Sequence, residues 1–341
     1  MKYFDRFFQP AGWEEKNFTA ADGVTLRYGH ARPPHLSDAD IKGTVIMTTG
    51  YGDYIESYYD TIHEYLGRGY DVWIMDWAGQ GGSARRAAGA LAEKAFGVAD
   101  HVAHLQQFRH QIVAPQAQAD KPMILSSHSL GGQIGLNYMH LYPKDFDAAV
   151  LAAPLIDFGL SGFTRALLSG IFKSAAAMGW RDAAIKGGRA GIQKQAVAER
   201  KKLRPGEPVR VDLHRTFFSL AKPLGAQDPS VALIDSLFDS TTRMNEEVVL
   251  RNLHTPVLLG VAGKDHIVNN KAIDRAATLL PDARVVTLPD ATHGIWQDKP
   301  AVQNTWWGAV DAFLADCHAR WQATPSAPKI KPVVPPQPPA A

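Results

Sequence analysis

Short apolar segments alternate with helical patterns along most of the chain, and this alternation restricts the fold more than any other feature. Six segments of five residues are predominantly apolar, at residues 44–48, 72–76, 123–127, 148–152, 257–261 and 284–288. Such runs are typical of strands buried on both faces, as in a parallel sheet. Helical patterns occupy most of the intervals, at residues 58–68, 99–113, 130–142, 271–280 and, after the last run, 306–319. The alternation predicts a mostly parallel, doubly wound α/β sheet.

The two ends of the chain have their own signals. Asp22-Gly23 separates two short segments at residues 18–19 and 24–28. Asp-Gly favours the tight turn that joins two strands, so an opening hairpin is predicted. Residues 325–341 hold 7 of the chain's 22 prolines. Because proline fixes φ and lacks a donor, we expect an extended tail without a packed core.

The composition excludes several classes of protein. Hydrophobic residues make up 45% of the 341 and charged residues 21%, as in a globular domain. The formal charge of +2 lacks the basic excess of nucleic-acid-binding domains, so no nucleic-acid partner is expected. The single cysteine, Cys317, rules out an intramolecular disulfide. We find neither a signal-peptide pattern nor a run of roughly 18 to 20 apolar residues, and we expect a cytoplasmic location.

One long interval interrupts the alternation. Between residues 152 and 257 no convincing strand is found, but helical patterning is present and is strongest over residues 162–180. This interval is too long for a loop and predicts a helical cap inserted after the sixth strand. We therefore expect an α/β core at residues 1–157 and 246–322, a cap at residues 158–245 and a disordered proline-rich tail at residues 323–341.

Charge is distributed unevenly between these parts. Residues 160–222 contain thirteen basic and four acidic residues, a net charge of +9, which leaves −7 for the rest of the chain. An apolar helical face beside such charge predicts peripheral contact with an anionic membrane. A solvated cationic face over an internally packed helix is the alternative.

The strongest local signal is a serine between an apolar run and a helical pattern. Residues 126–132 read Ser-Ser-His-Ser-Leu-Gly-Gly. At such a sharp strand-to-helix turn, Ser129 exposes its hydroxyl at the sheet edge and beside a helix N-terminus. The turn requires small residues two positions before and after the serine. Gly131 meets this requirement, and Ser127 replaces the usual glycine, so a nucleophilic Ser129 is favoured over a plain N-cap.

A serine hydroxyl needs a base to remove its proton and an acid to orient that base. In this kind of fold the chain order is serine, then aspartate or glutamate, then histidine. Asp265 follows the run at residues 257–261, and His293 follows the run at residues 284–288. Both lie just past predicted strand ends, where a parallel sheet collects its active-site groups. We predict Ser129, Asp265 and His293 as a catalytic triad.

Other residues compete for these roles. Asp157, after the run at residues 148–152, is the alternative acid. His266 adjoins the predicted acid and His128 adjoins the predicted nucleophile, so each is expected to point elsewhere. His101 and His104 have a spacing that metals use, but no carboxylate motif accompanies them. An ordinary surface helix is favoured there, and no metal site is predicted.

A glycine-containing loop at residues 49–53, Thr-Gly-Tyr-Gly-Asp, follows the run at residues 44–48. Glycines on both sides of Tyr51 allow the backbone to approach a substrate. We assign the donors of an oxyanion hole to the backbone N–H groups of Tyr51 and Leu130, which stabilise the charge that develops on a carbonyl oxygen. A plain turn is the alternative for this loop.

Three segments resemble motifs of the α/β-hydrolases of the monoacylglycerol lipase and lysophospholipase group, often placed with the serine aminopeptidases of family S33. The family patterns H-G-x-G, D-x-R-G-x-G-x-S and G-H-S-M-G-G match residues 49–52, 76–83 and 127–132. Thr49 stands in place of the family histidine and Ala78 in place of the arginine. The resemblance covers residues 18–319 and is weakest in the insertion.

This resemblance implies an α/β-hydrolase fold and hydrolysis of carboxylic esters through an acyl-enzyme, without a cofactor. The implied substrates are lipid-derived esters such as monoacylglycerols or lysophospholipids. Two alternatives stay open, namely a serine-aminopeptidase-like amide hydrolase and a non-catalytic binding protein on the hydrolase scaffold. A serine at position 129, where dehalogenases and epoxide hydrolases have an aspartate, excludes those two chemistries.

Overall fold

An eight-stranded β-sheet forms the centre of the protein. The computed structural model describes residues 5–85, 95–188, 224 and 228–323. In chain order the strands are β1 Glu14–Thr19, β2 Thr25–Ala31, β3 Gly43–Thr48, β4 Tyr70–Met75, β5 Met123–His128, β6 Ala148–Ala152, β7 Val257–Ala262 and β8 Ala283–Leu288. Each of the six predicted runs lies within two residues of the bounds of a strand.

The spatial order of the strands is β1-β2-β4-β3-β5-β6-β7-β8. β2 pairs antiparallel with β1 and β4, and the pairs from β4 through to β8 are parallel. The chain passes from β3 to β4 on one side and then to β5 on the other side of β3. The carboxyl ends of β3 and β5 therefore lie side by side where the winding reverses, which is where open α/β sheets bind ligands. The predicted doubly wound sheet is confirmed.

The two edges of the sheet differ from its centre. Every residue of β3, β4, β6 and β7 is buried, which explains why these strands are mostly apolar, with Asp71 of β4 the one charged residue among them. The predicted N-terminal hairpin is also confirmed, with Phe18 opposite Leu26 and Gly23 at a φ of 82° in the turn. Its first strand is longer than predicted because residues 14–17 are polar and exposed at the sheet edge. A search for apolar runs does not detect strand residues that are polar and exposed at a sheet edge.

Eight α-helices occur in the described ranges. They are α1 Tyr59–Gly67, α2 Val98–Gln107, α3 Leu130–Leu141, α4 Gly162–Ala175, α5 Val231–Met244, α6 Glu247–Arg251, α7 Asn270–Leu279 and α8 Pro300–Ala323. Helices that follow strands pack back on the sheet, α1 on β4, α3 on β5, α7 on β7 and β8, and α8 on β6 to β8. In these ranges, none of the helices has both the length and the apolar character that a membrane span requires.

Three of these helices, α4, α5 and α6, lie between β6 and β7, and the first two belong to the predicted cap. The helix predicted over residues 162–180 is present as α4 and a π-helical turn, Ala176–Trp180. α4 packs on α5 through Phe172, whose ring stacks on Phe238 with 6.0 Å between centroids. No residue of α4 itself is fully buried in the described structure.

Much of the predicted cap lies outside the described residues. This applies to residues 189–223 and 225–227, which carry nine of the thirteen basic residues counted above. It also applies to the proline-rich tail at residues 324–341. The division of the chain into core and cap after residue 157 and before residue 246 stays a prediction.

Candidate active site

Ser129 occupies the turn between β5 and α3, next to the end of β3. Its backbone has a φ of 49° and a ψ of −113°, a region that residues with side chains rarely adopt. Among the described non-glycine residues only Ala153 also has a positive φ. Strained backbone of this kind persists where the surrounding structure enforces it, and it is concentrated at functional sites.

The turn leaves little room beside Ser129. A Cβ atom at Gly131 would lie 2.7 Å from the backbone oxygen of Thr49 and 2.8 Å from Oγ1 of Thr48. On the other side, Oγ of Ser127 lies 2.7 Å from Oγ1 of Thr48 in a buried hydrogen bond. The serine that replaces the usual glycine is therefore accommodated by a polar partner on the neighbouring strand.

The three predicted triad side chains meet at this edge in one row of hydrogen bonds. Nε2 of His293 is 2.9 Å from Oγ of Ser129, and Nδ1 of His293 is 2.7 Å from Oδ2 of Asp265. The Asp265 side chain is 0% exposed. Its Oδ1 accepts the backbone N–H groups of Ile267 and Val268 at 2.8 and 3.2 Å. This is the nucleophile–base–acid geometry that acyl transfer requires.

The charge of Asp265 fixes the tautomer of His293, the predicted base. Burial alone raises the pKa of the Asp265 carboxyl, but the hydrogen bond and charge of His293 and the two backbone N–H donors outweigh burial. The pKa of Asp265 is thereby lowered from its ordinary value. The ionised carboxylate accepts Nδ1–H of His293, which leaves the Nε2 lone pair facing the hydroxyl of Ser129. A general base needs this tautomer.

We expect neither Asp265 nor His128 to contribute an ionisation to the pH dependence of kcat/KM for an ester between about pH 5 and pH 8. Asp265 stays ionised in this range, since its pKa is lowered. Burial lowers the pKa of the neighbouring His128 to about 4, so that ring is already neutral. The measurement is a pH–rate profile between about pH 5 and pH 8. A dependence of log kcat/KM on pH with a slope greater than one would contradict this expectation.

Asp157, the alternative acid, has partners of its own. It forms an ion pair with Arg165 of α4. Its backbone oxygen accepts the N–H of Asn269 at 3.0 Å. Asp157 thus connects the start of the cap to the loop after β7, and the carboxylate bonded to the base is that of Asp265. The side chain of His266 is exposed at the surface.

His101 and His104 lie on α2, and the expectation of an ordinary surface helix is wrong for this pair. Their side chains are 2% and 1% exposed. His101 packs against Trp77 and Phe96, and Nε2 of His104 is 3.2 Å from Oδ2 of Asp22. No group of three metal-ligating side chains occurs in the part of the chain that the structure describes. The two histidines were expected at the surface because their side chains are polar. A neutral imidazole can, however, be buried and pack as an aromatic ring.

The loop between β3 and α1 carries Tyr51, the first predicted oxyanion donor. The backbone N–H of Gly52 donates to Oε1 of Gln80, and Gly52 has a φ of 81°, which glycine adopts without strain. The second predicted donor, the N–H of Leu130, belongs to the first turn of α3, where N–H groups lack an intrahelical acceptor. The assignment of Tyr51 and Leu130 as donors stays a prediction.

His128 joins this loop to the loop of the base, a connection that no sequence pattern indicates. Nε2 of His128 lies 3.2 Å from the backbone oxygen of His293, and Nδ1 lies 3.2 Å from Oη of Tyr58. The Tyr58 hydroxyl donates to Oδ2 of Asp53 at 2.9 Å and accepts the N–H of Gly50 at 3.2 Å. The side chain that precedes the nucleophile therefore holds the loop of the predicted donor and the loop of the base together.

A cluster of buried charged side chains contacts the segment between β3 and α1. Asp76, directly after β4, is 0% exposed and accepts the backbone N–H groups of Ile55 and Gly82 at 2.9 and 2.8 Å. Nε of Arg27 on β2 donates to Asp76 at 2.7 Å, and the same guanidinium contacts both oxygens of Glu56. Burial raises the pKa of Asp76 to about 6 against the charge of Arg27. The segment at residues 76–83 has Ala78 where the family motif has an arginine. The guanidinium of Arg27 on β2 lies beside Asp76 instead.

Comparison with known proteins identifies relatives of the chain. A family model described as serine aminopeptidase, S33, matches residues 39–300. The probable lysophospholipase L2 of Haemophilus influenzae is 22% identical over 306 residues, which cover 85% of this chain and 88% of that protein. The monoacylglycerol lipase of Mycolicibacterium smegmatis is 27% identical over 144 residues, or 42% of this chain and 47% of that protein.

Solved structures share the fold. The monoacylglycerol lipase of Paleococcus ferrophilus superposes with a TM-score of 0.61 and 18% identity, over 89% of this chain and 98% of that one. The sheet and its helices are those of an α/β-hydrolase, as the resemblance implied. Because the family model spans well over half of the residues, the chain belongs to the serine aminopeptidase S33 family of hydrolases.

Proposed function

We propose that this hydrolase cleaves carboxylic esters of single-chain lipids, monoacylglycerols or lysophospholipids, through an acyl-enzyme on Ser129. The observation that carries the proposal is the row of hydrogen bonds from Ser129 through His293 to Asp265. Relatives named as a lysophospholipase and a monoacylglycerol lipase support lipid esters as the substrate class. The reaction consumes one ester and one water.

In acylation, Oγ of Ser129 bonds to the ester carbonyl carbon while Nε2 of His293 takes the hydroxyl proton. The C=O electron pair moves to the carbonyl oxygen, whose negative charge is stabilised by the N–H groups of Tyr51 and Leu130. When this intermediate collapses, the bond to the alcohol oxygen breaks and protonated His293 gives its proton to that oxygen. Asp265 stabilises the imidazolium throughout.

Deacylation repeats these steps with water in place of the alcohol. Nε2 of His293 removes a proton from the water as its oxygen bonds to the acyl carbon. Collapse of the second intermediate breaks the bond to Oγ of Ser129, which recovers its proton from His293. The fatty acid is released and the free enzyme is restored.

A substrate panel tests the proposed reaction. Initial rates are measured on a monoacylglycerol, a lysophospholipid, a short p-nitrophenyl ester and an aminoacyl p-nitroanilide. We expect hydrolysis of the esters, with the highest kcat/KM on the lipid esters, and little release of nitroaniline. Cleavage of the anilide in preference to every ester would replace the proposal by amide hydrolysis.

Amide hydrolysis in the manner of a serine aminopeptidase is the second candidate, and one observation favours it. Asp182 and Asp228 line a cleft beside Tyr51, and an α-ammonium group requires carboxylates of this kind. The remaining alternative, a non-catalytic binding protein, is tested with a fluorophosphonate probe. Covalent labelling at Ser129 is expected, and an unlabelled protein would favour the binding role.

A further part of the proposal is contact between α4 and an anionic membrane. Phe163, Leu167 and Ile171 recur every four residues on α4 and are 81%, 53% and 52% exposed. Met178 and Trp180, directly after the helix, are 63% and 61% exposed. Apolar side chains on the outer face of a segment with net charge +9 suit the surface of anionic lipid.

Replacing Leu167 with aspartate should reduce co-sedimentation with phosphatidylglycerol vesicles, because the change removes apolar area and adds a negative charge at the contact. The matched control is Val248→Asp on α6, where the valine is 62% exposed and far from α4 in sequence. High salt should weaken binding of the wild type. Equal sedimentation of both variants and the wild type, insensitive to salt and lipid charge, would contradict the membrane contact.

A further inference from the structure

A cleft beside the oxyanion loop is lined by charges of both signs. It encloses about 620 Å³, including its open mouth, and lies between the loop at residues 78–85 and residues 182–184 and 228–233 of the predicted cap. Tyr51, whose N–H is a predicted oxyanion donor, and Gln80, which holds the loop of Tyr51, both belong to its wall. The cleft therefore shares part of its wall with the loop that carries the predicted oxyanion donor Tyr51.

Three charged side chains on the wall are oriented by hydrogen bonds to the backbone. Nη1 of Arg85 donates to a backbone oxygen of its own loop at 2.5 Å. Asp182 and Asp228 accept the backbone N–H groups of Ala95 and Gly187, both at 3.0 Å. One guanidinium and two carboxylates thus line the same space.

His101 adds a buried polar group to this wall. Its side chain is 2% exposed, and its Nδ1 has no hydrogen-bond partner among the described residues. Burial and the neighbouring His104 lower the pKa of His101 to about 3, so the imidazole is neutral at physiological pH. His101 therefore adds a neutral imidazole to the wall of the cleft.

We propose that the cleft binds the zwitterionic leaving group of a lysophospholipid, with its phosphate at Arg85 and its amine at Asp182 and Asp228. This rests on the proposed ester hydrolysis at Ser129. A leaving group that carries only a negative charge would be repelled by the two carboxylates. One that carries only a positive charge would be repelled by the guanidinium. A group with both charges matches both, because arginine binds phosphate through paired hydrogen bonds and carboxylates bind an ammonium. The glycerol released from a monoacylglycerol uses neither charge.

The test compares two substrates with the same decanoyl chain, 1-decanoyl lysophosphatidylethanolamine and 1-decanoylglycerol. Both are used below their critical micelle concentrations, so that no lipid surface contributes. The variants are Arg85→Gln and the double variant Asp182→Asn/Asp228→Asn, since asparagine can still accept the backbone N–H. The control is Asp274→Asn, an exposed carboxylate on α7.

We expect the wild type and the control to prefer the lysophospholipid. Each cleft variant should lower kcat/KM on the lysophospholipid about tenfold and leave decanoylglycerol nearly unchanged. Retained activity on decanoylglycerol also shows that the variant is folded. Decanoyl lysophosphatidate, which has the phosphate without the amine, should lose activity in Arg85→Gln but not in the double aspartate variant.

Parallel losses on both substrates, or no loss on either, would overturn the assignment of the cleft while leaving ester hydrolysis intact. A wild type that prefers decanoylglycerol would overturn it as well. A wild type that hydrolyses neither lipid would overturn the proposed function and the cleft together, which distinguishes the two failures.

Discussion

Replacing Ser129 with alanine should abolish ester hydrolysis, with a loss in kcat on the order of 10⁶-fold, because no nucleophile remains to form the acyl-enzyme. The alanine lacks the Oγ that lies 2.9 Å from Nε2 of His293. The fold should be kept, since the turn is held by its backbone. The N–H of Ser129 donates to the oxygen of Ala152 at 3.2 Å, and the oxygen of Ser129 accepts the N–H of Leu155 at 3.0 Å.

The matched control is Ser126→Ala, three residues earlier on β5. Oγ of Ser126 accepts a hydrogen bond from Oη of Tyr65 at 3.0 Å and lies apart from the row at Ser129. We expect this variant to keep turnover within a factor of a few. The measurements are p-nitrophenol release from an acyl ester and thermal unfolding of both variants. Full activity in Ser129→Ala would contradict the assignment, and equal losses in both variants would point to a general disturbance of β5.

Much of the fold could be predicted from local patterns because its strands are buried on both faces. β3, β4, β6 and β7 are buried along their whole length and mostly apolar, because burial on both sides favours that pattern. The apolar pattern does not predict the edge strand β1. Five of the six residues of β1 are polar and exposed, and only pairing with β2 makes them a strand. Such pairing depends on residues elsewhere in the chain.

The same distinction applies to the site. Ser129, Asp265 and His293 could be located because each follows a recognisable strand in a fixed order, and their meeting is a consequence of the sheet. The supports around them could not be located. Arg27 reaches Asp76 across 49 positions of the chain, and no short motif contains both residues.

The burial of α2 and α4 was harder to predict than their helical form. Periodicity indicates a helix in both cases, but it cannot tell which partner covers each face. On α4 the face with Phe172 lies on α5, while Phe163 and Leu167 stay exposed. On α2 the polar side chain of His101 is buried beside Trp77. Both outcomes depend on tertiary neighbours.

Replacing Asp265 with asparagine should lower kcat on the order of 10⁴-fold, because the amide reverses the hydrogen bond to the base. Oδ1 of Asp265 accepts two backbone N–H groups, from Ile267 and Val268. The asparagine must keep its oxygen there, so its NH₂ group takes the place of Oδ2, 2.7 Å from Nδ1 of His293. An N–H donor at that point requires Nδ1 to be unprotonated. The proton then lies on Nε2, where the base needs a lone pair for the hydroxyl of Ser129.

The comparison variant is Asp157→Asn, which changes the other carboxylate considered for the acid. Asp157 pairs with Arg165 and accepts the N–H of Phe158 at 2.8 Å, so its loss should loosen the start of α4 and leave turnover within a factor of a few. Both variants are assayed for kcat on one ester at neutral pH, with thermal unfolding as the check on folding. A large loss in Asp157→Asn with near-normal turnover in Asp265→Asn would transfer the role of the acid to Asp157. Equal, small losses in both variants would mean that no carboxylate is needed to orient His293. That result would contradict the role assigned to the hydrogen bond between His293 and Asp265.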